Sequence, residues 1–265
     1  MIYLKAGTAR EPQPLLVNNA MILYPFTRFA AIVLKNEGLS KYHNVALWYI
    51  DNVQQSVNYF SKWYITDGDR GWYIMPDEEF VNYPGINVPH NWNAAMGKVL
   101  LALYDVTGQE CYLSQAQAIA NTFKAELEVA PNGSYRWYYW YGDGYEQYKA
   151  TEDISHGALD VQFAVMAYQH GIVFGLEDME RFVITFKENL WSGQDFTSSV
   201  WGTGKFNESI ADTGTFYIAL SNVDQDVLDI VEKYIAGKDF RELPEYKWNW
   251  YMWSISELLL SKQEL

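Results

Sequence analysis

The chain has 265 residues, 49% of them apolar, enough to bury a sizeable core as one domain spanning 1–265, and no Pro-, Gly- or Ser-rich linker divides it. Its net charge of −14, without any dense Lys/Arg run, argues against nucleic acid as a partner, and the one cysteine, Cys111, excludes an internal disulfide and a Cys-based zinc site. The apolar runs read as too short and too interrupted to span a bilayer, and the N-terminus lacks the order of a signal peptide, so no membrane is expected and the location is either cytoplasmic or that of a chain without its leader.

Residues 1 to 20, with Pro12 and Pro14, read as an extended lead-in. A short apolar helix over Thr27 to Asn36 ends at Gly38. From Ser40 to Tyr64, Val45, Trp48, Tyr49, Val53, Val57 and Phe60 recur at helical steps and predict an amphipathic helix. A long loop, Thr66 to Val88, carries Asp67-Gly68-Asp69 and a strand at Trp72 to Met75. Pro89 then opens a helix over Asn91 to Tyr104 that has almost no charge except Lys98 and so reads as buried. A turn at Asp105 to Gly108, where Cys111 reads as an ordinary buried thiol nearby, leads to a more polar helix, Tyr112 to Glu126.

A second loop, Pro131 to Thr151, contains Tyr135-Arg136-Trp137-Tyr138-Tyr139-Trp140-Tyr141. It is followed by an apolar helix from Ser155 to His170, a turn at Gly171 to Gly175 and an outer helix from Leu176 to Asn189. A third copy uses the loop Trp191 to Asn207, the helix Ser209 to Leu220 and the helix Gln225 to Ile235; Tyr246 to Leu260 is the last helix. Leu101-Ala-Leu-Tyr104 can be laid over Val165-Met-Ala-Tyr168, with Phe123 and Phe186 following in Thr-Phe-Lys. Helical hairpins repeating in this way predict an all-α fold, an (α/α) toroid, complete or incomplete, with short β-hairpins in the long loops; a straight solenoid is the alternative.

In such a toroid the inner helices start from the aromatic-loop end, and their N-termini suit a carboxylate there. The chain has 11 Trp and 21 Tyr, many of them in loops beside Gly, Asp and Asn. Flat rings with polar edges suit sugars, which makes a polysaccharide or oligosaccharide the expected partner. Trp72, Tyr138 and Trp140 are the candidate platforms, and Lys205 and Trp248 are further substrate-binding candidates at the same end. Thr151-Glu152-Asp153-Ile154-Ser155-His156 places two carboxylates, a serine and a histidine at the mouth of an apolar helix, beside Asp160 one turn on. Asp160 is the expected partner fixing the His156 tautomer, while capping by Asp153 or Ser155 is the structural alternative. His90, Asn91 and Asn93 form a polar first turn able to bind a carboxylate, and Arg136 is the cation of the aromatic cluster. Asp67-Gly-Asp69 is a weak calcium-loop fragment; no metal and no cofactor are expected.

Val88-Pro-His-Asn-Trp-Asn-Ala with Leu101-Ala-Leu-Tyr-Asp-Val-Thr-Gly resembles the toroid families of carbohydrate-active enzymes. Glu-Asp-Ile-Ser-His156, with Asp160 and Phe163-Ala164, is similar to the α/α-toroid polysaccharide lyases acting on alginate or glucuronan, and uronate C5-epimerase-like proteins share parts of it. The resemblance covers roughly residues 85 to 220 and implies an Asn, a His, a Tyr and an Arg around a uronic acid. It places Asn91 or Asn93 and His156. The nearest Tyr and Arg, Tyr139 and Arg136, precede the histidine rather than follow it, and Tyr217 is the nearby tyrosine after it.

The expected activity is therefore β-elimination in a uronic-acid glycan. Asn91 or Asn93 with Arg136 would neutralise the carboxylate, His156 or a tyrosine would take the C5 proton, and His90, Glu152 and Asp153 would contact substrate. The alternatives are a uronate C5-epimerase, a non-catalytic carbohydrate-binding protein, and an inverting glycoside hydrolase using two of Asp69, Asp143, Glu152 and Asp153.

Overall fold

Buried helix, glycine turn, outer helix: the hairpin read from the sequence recurs in the computed structural model, which describes residues 14–76, 83–142 and 150–261. Asp143 lies outside these residues. Helix α3, His90–Thr107, is buried continuously from His90 to Leu103 and stops at Gly108, whose φ of 65° is the left-handed conformation that closes a helix at low cost in glycine. Helix α4, Glu110–Ala125, packs back on it. Helix α5, Ile154–Gln169, turns at Gly171 (φ 69°) into α6, Leu176–Ile184, which continues as a widened turn over Thr185–Leu190. Phe123 and Phe186, the paired residues of the repeat, are both buried.

The described residues fall into two compact units, one within Met1–Ala125 and Trp140–Tyr148, the other within Glu126–Tyr139 and Lys149–Leu265. In the first, α1 (Leu16–Lys35) packs on α2 (His43–Phe60) and α3, while β1 (Tyr64–Asp67) pairs antiparallel with β2 (Arg70–Tyr73), Tyr64 opposite Tyr73. In the second, β3 (Glu128–Val129) pairs with β4 (Tyr135–Arg136). There α5 packs on a tight 3-10 helix, Ala211–Asn222, which also carries α7 (Gln225–Ala236) and α8 (Glu245–Ser261). The short hairpins expected in the loops are thus present.

The local differences from the sequence reading have physical causes. The lead-in ends early, because α1 begins at Leu16 and runs through Pro25. Pro25 removes one helix bond on a side that faces water, with Met21 55% exposed, so the carbonyl left over is solvated. The resulting helix is long and apolar enough to cross a membrane by length and composition, contrary to the reading of short runs. It packs, however, through Ala20, Leu23, Ala30 and Val33, all buried.

The buried face of α2 is Ala46, Ile50, Val53, Val57 and Phe60, so the predicted stripe is turned and Val45 and Trp48 lie exposed. Tyr64 starts a strand rather than ending that helix. Cys111 is exposed in the first turn of α4. The helix expected over Ser209 to Leu220 winds as 3-10 over Ala211–Asn222, where Thr213 and Thr215 donate to the carbonyls three residues back, at 2.6 and 2.7 Å.

Candidate active site

The site of the second unit is built on three short extended segments lying side by side. Tyr138 bridges Thr151 and Asp153 bridges Ser199, with Glu152 N donating to Trp137 O and Val200 N to Glu152 O, both at 3.1 Å. Side chains of an extended segment alternate in direction. Glu152 and Ile154 therefore point inward, each 0% exposed, while Thr151 and Asp153 point outward. Two carboxylates adjacent in sequence thus have opposite environments.

At Asp153 the chain turns into α5, with Asp153 as the N-cap (φ −88°, ψ 164°). Its Oδ1 accepts from Ser155 N at 2.8 Å, His156 N at 3.1 Å and the Ser155 hydroxyl at 2.6 Å. Its Oδ2 lies 2.5 Å from His156 Nδ1. Burial alone would raise this carboxyl, but the hydrogen bond and charge of His156, with the Ser155 bonds, outweigh it and hold the pKa down at about 2. Asp153 is thus ionised and its Oδ2 accepts from His156 Nδ1, which leaves Nε2 on the far edge of the ring. The His156 side chain is 42% exposed, and its ring lies 4.9 Å from that of Tyr139. Capping and holding the histidine are one arrangement.

The carboxylate that fixes His156 is therefore Asp153, not Asp160 as its spacing suggested. Asp160 turns inward, fully buried, and its Oδ2 accepts from Trp137 Nε1 at 2.9 Å. Glu152, proposed to touch substrate, is sealed: its Oε1 accepts from Asp153 N at 3.0 Å. Tyr217 is buried against Gly157, where a Cβ would lie 2.8 Å from its hydroxyl. Glu152, Asp153 and His156 each offer a metal-ligand atom within 4.8 Å of the others. Two of these atoms, Asp153 Oδ2 and His156 Nδ1, are joined by the short hydrogen bond, so the set reads as a dyad over a buried acid.

Arg136 Nε donates to Glu128 Oε2 at 3.1 Å and its guanidinium lies 4.4 Å from the Trp201 ring. Trp201 also packs against Tyr138, ring centroids 4.7 Å apart, and donates to Trp137 O at 2.7 Å. Sequence reasoning missed Trp201; its place in a loop beside Gly202 and Gly204 was the available signal. Lys205 and Trp248 are exposed, Trp248 Nε1 donating to Leu243 O at 3.3 Å.

In the first unit the polar turn is internal. His90 is 3% exposed, its ring stacked 4.0 Å from Tyr141, and burial pushes its imidazole down to about 3, so it is neutral. Asn91 is equally buried, and neither its Oδ1 nor His90 Nε2 has a hydrogen-bond partner among the described residues. Asn93 Oδ1 accepts from Tyr73 N at 2.8 Å and its Nδ2 donates to Tyr141 OH at 2.9 Å. Asn93→Ala is therefore expected to lower stability by roughly 1–3 kcal/mol, the cost of a buried donor left unpaired, as measured by denaturant unfolding. Trp140 is 8% exposed, beside Tyr83, and packs as core rather than as an open platform. Trp72 is half-buried, with its Nε1 unpartnered. Asp69 is exposed, and its backbone carbonyl accepts from Asn121 at 2.8 Å.

Fold and elements together define an all-α protein of the α/α-toroid class. A selenomethionine derivative of a GH76 α-mannanase from Bacteroides thetaiotaomicron superposes on 99% of this chain and 74% of its own, with a TM-score of 0.64 and 12% identity. A D-mannose isomerase superposes on 93% of this chain and 63% of its own, with a TM-score of 0.56 and 14% identity. At these identities the likeness is one of fold. No family model and no curated protein matches the chain.

Proposed function

We propose that the protein is a carbohydrate-processing enzyme in which His156, held by Asp153, removes a proton from a sugar carbon adjacent to a carboxylate or carbonyl. The observation that carries this reading is the Asp153–His156 pair at 2.5 Å, with the imidazole side chain 42% exposed and its ring 4.9 Å from that of Tyr139. An imidazole whose Nδ1 is held by a fixed carboxylate can serve as a general base through Nε2. The two superposed structures are named for mannose-type sugars, and the one named as an isomerase fits proton transfer at carbon.

For the substrate we put a uronic-acid glycan first. Arg136 lies with Tyr138 at the Trp201 ring, its guanidinium 4.4 Å from that ring, which suits the carboxylate of a neighbouring sugar rather than of the reacting one, with Trp201 and Tyr138 as the stacking surface. In the elimination His156 Nε2 takes the C5 proton, the C5–H electrons form the C4–C5 double bond, and the C4–O4 bond breaks. Tyr139 gives its proton to O4 and regains one from His156. Epimerisation and isomerisation also begin by abstracting an acidic carbon-bound proton; in the first it returns to the opposite face of the same carbon, and in the second, at a free sugar, it goes to the adjacent carbonyl carbon as the neighbouring hydroxyl passes its proton to the carbonyl oxygen.

The hydrolase reading is favoured by the higher TM-score of the mannanase. It would use Asp153 as one carboxylate, but Glu152 is sealed, and inversion needs two accessible carboxyls roughly 6.5–9.5 Å apart. A screen of purified protein on uronate oligosaccharides and on mannose-type sugars separates the readings. The expected result is an unsaturated, ultraviolet-absorbing product from a uronate substrate. New reducing ends without unsaturation would replace this reading by hydrolysis, and a ketose product would replace the uronate by a free sugar.

A further inference from the structure

Beneath the dyad lie two carboxyls that the reaction does not use. Glu152 ends the extended segment and Asp160 lies inside α5, and both are fully buried. One oxygen of each has a donor: Asp153 N for Glu152 Oε1, Trp137 Nε1 for Asp160 Oδ2. The other two, Glu152 Oε2 and Asp160 Oδ1, are buried and receive no donor among the described residues, and the Tyr217 hydroxyl beside Gly157 has no partner there either. The titratable groups facing the pair are Asp153, Tyr217 and His156, whose Nδ1 is 4.0 Å from Glu152 Oε1. Among the described residues, no lysine or arginine is one of them. Two ionised carboxylates in that place would each lack the countercharge that burial demands.

We propose that Glu152 and Asp160 share a single proton, with Glu152 Oε2 donating to Asp160 Oδ1, and that this sealed pair positions Asp153 for its hold on His156. The shared proton satisfies both unpartnered oxygens at once and leaves one negative charge in place of two. Glu152 is the member that keeps the proton: each carboxyl accepts one protein donor, but the bond between the two raises Glu152 and lowers Asp160. Consistent with this, burial, followed by the charge of its neighbours, pushes Glu152 well above the ordinary carboxylate range; burial pushes Asp160 up as well, against the bonds from Trp137 and Glu152. Glu152 Oε1 meanwhile anchors the amide of Asp153, fixing where the chain leaves the extended segment and enters the helix. The positioning role rests on reading Asp153–His156 as the catalytic dyad; the proton itself is tested without substrate.

The infrared spectrum of the intact protein at about pH 8, far above the ordinary glutamate pKa of about 4.3, is expected to show a protonated-carboxyl band. This band shifts in heavy water and is missing from Glu152→Gln. Unfolding measured as pH rises gives a second readout, with the sign set by a folded-state pKa raised above the unfolded one. The stability from the retained proton is complete below the unfolded value and is lost as pH rises through the folded value. The folding constant of Glu152→Gln relative to the wild type therefore grows by up to about tenfold per pH unit across that window. In proton NMR titrations Glu152→Gln, which keeps the acceptor for Asp153 N, preserves the His156 midpoint, whereas Glu152→Ala moves it. Absence of the band in the wild type overturns the proposal whether or not the variants fold. So does a ratio independent of pH, with a cation found in the purified protein by elemental analysis as the alternative neutraliser. Identical His156 titrations in all three proteins would overturn the positioning role.

Discussion

Replacing His156 by alanine is expected to lower turnover by roughly 10²–10⁴-fold, the usual contribution of a positioned general base, while the melting temperature stays close to that of the wild type. The ring is 42% exposed and lies against Tyr139 without being packed around. Its removal leaves no sealed cavity and no buried donor unpaired, so the loss falls on chemistry. Asp153 keeps its bonds to Ser155 and to the backbone of residue 156, which preserves the cap of α5. Steady-state kinetics and thermal melts on the same preparation check both halves. Full activity in the variant would remove His156 from the mechanism, and failure to fold would make it a core histidine.

The second large effect is expected from Asp153→Asn. Asparagine is as good an N-cap as aspartate, so the helix start is retained. The side chain loses its charge, however, and can turn its amide NH₂ towards Nδ1. That would force the imidazole into the tautomer whose Nε2 carries the proton and cannot accept another. A comparable exchange in a catalytic triad lowers turnover by about 10⁴-fold, and a loss of that order is expected here. Asp153→Ala would add the loss of the cap, typically about 1 kcal/mol. Kinetics of the two variants, with unfolding curves, separate the roles: equal activity for Asp153→Asn and the wild type would leave Asp153 only a cap.

The inner helices were legible because burial all round leaves a mark that local context cannot hide: Asn91 to Leu103 and Val161 to Val165 contain almost nothing but apolar or small residues beyond the polar first turn. The glycine turns at Gly108 and Gly171 were legible for the same reason, since a positive φ selects its residue. Helix α1 was cut short because Pro25 reads as a breaker unless one knows that its side faces water. The stripe of α2 was turned because Val45 and Trp48 are apolar yet exposed, so periodicity had two faces from which to choose.

In the site, His156 and Asp153 could be named from capping chemistry and helix spacing. The choice of Asp153 over Asp160 could not, because it depends on the short strand that sends Glu152 inward and Asp153 outward. That strand is held by Trp137 on one side and Val200 on the other, some 48 residues away in sequence from Glu152, as the bond from Val200 N to Glu152 O shows. Trp201 reached the site through the same distant pairing, and Asn93 left it because the backbone of β2 claims its carboxamide.

The most direct test of the central claim is solvent-hydrogen exchange at carbon. Wild-type protein and His156→Ala are incubated in heavy water with a uronate oligosaccharide and, separately, with mannose, and the recovered sugars are read by proton NMR and mass spectrometry. The account predicts that the wild type either incorporates deuterium at the carbon next to the carboxylate or carbonyl or consumes that proton in forming an unsaturated product, and that His156→Ala does neither. Cleavage of a glycan by the wild type with the ring protons untouched would contradict it.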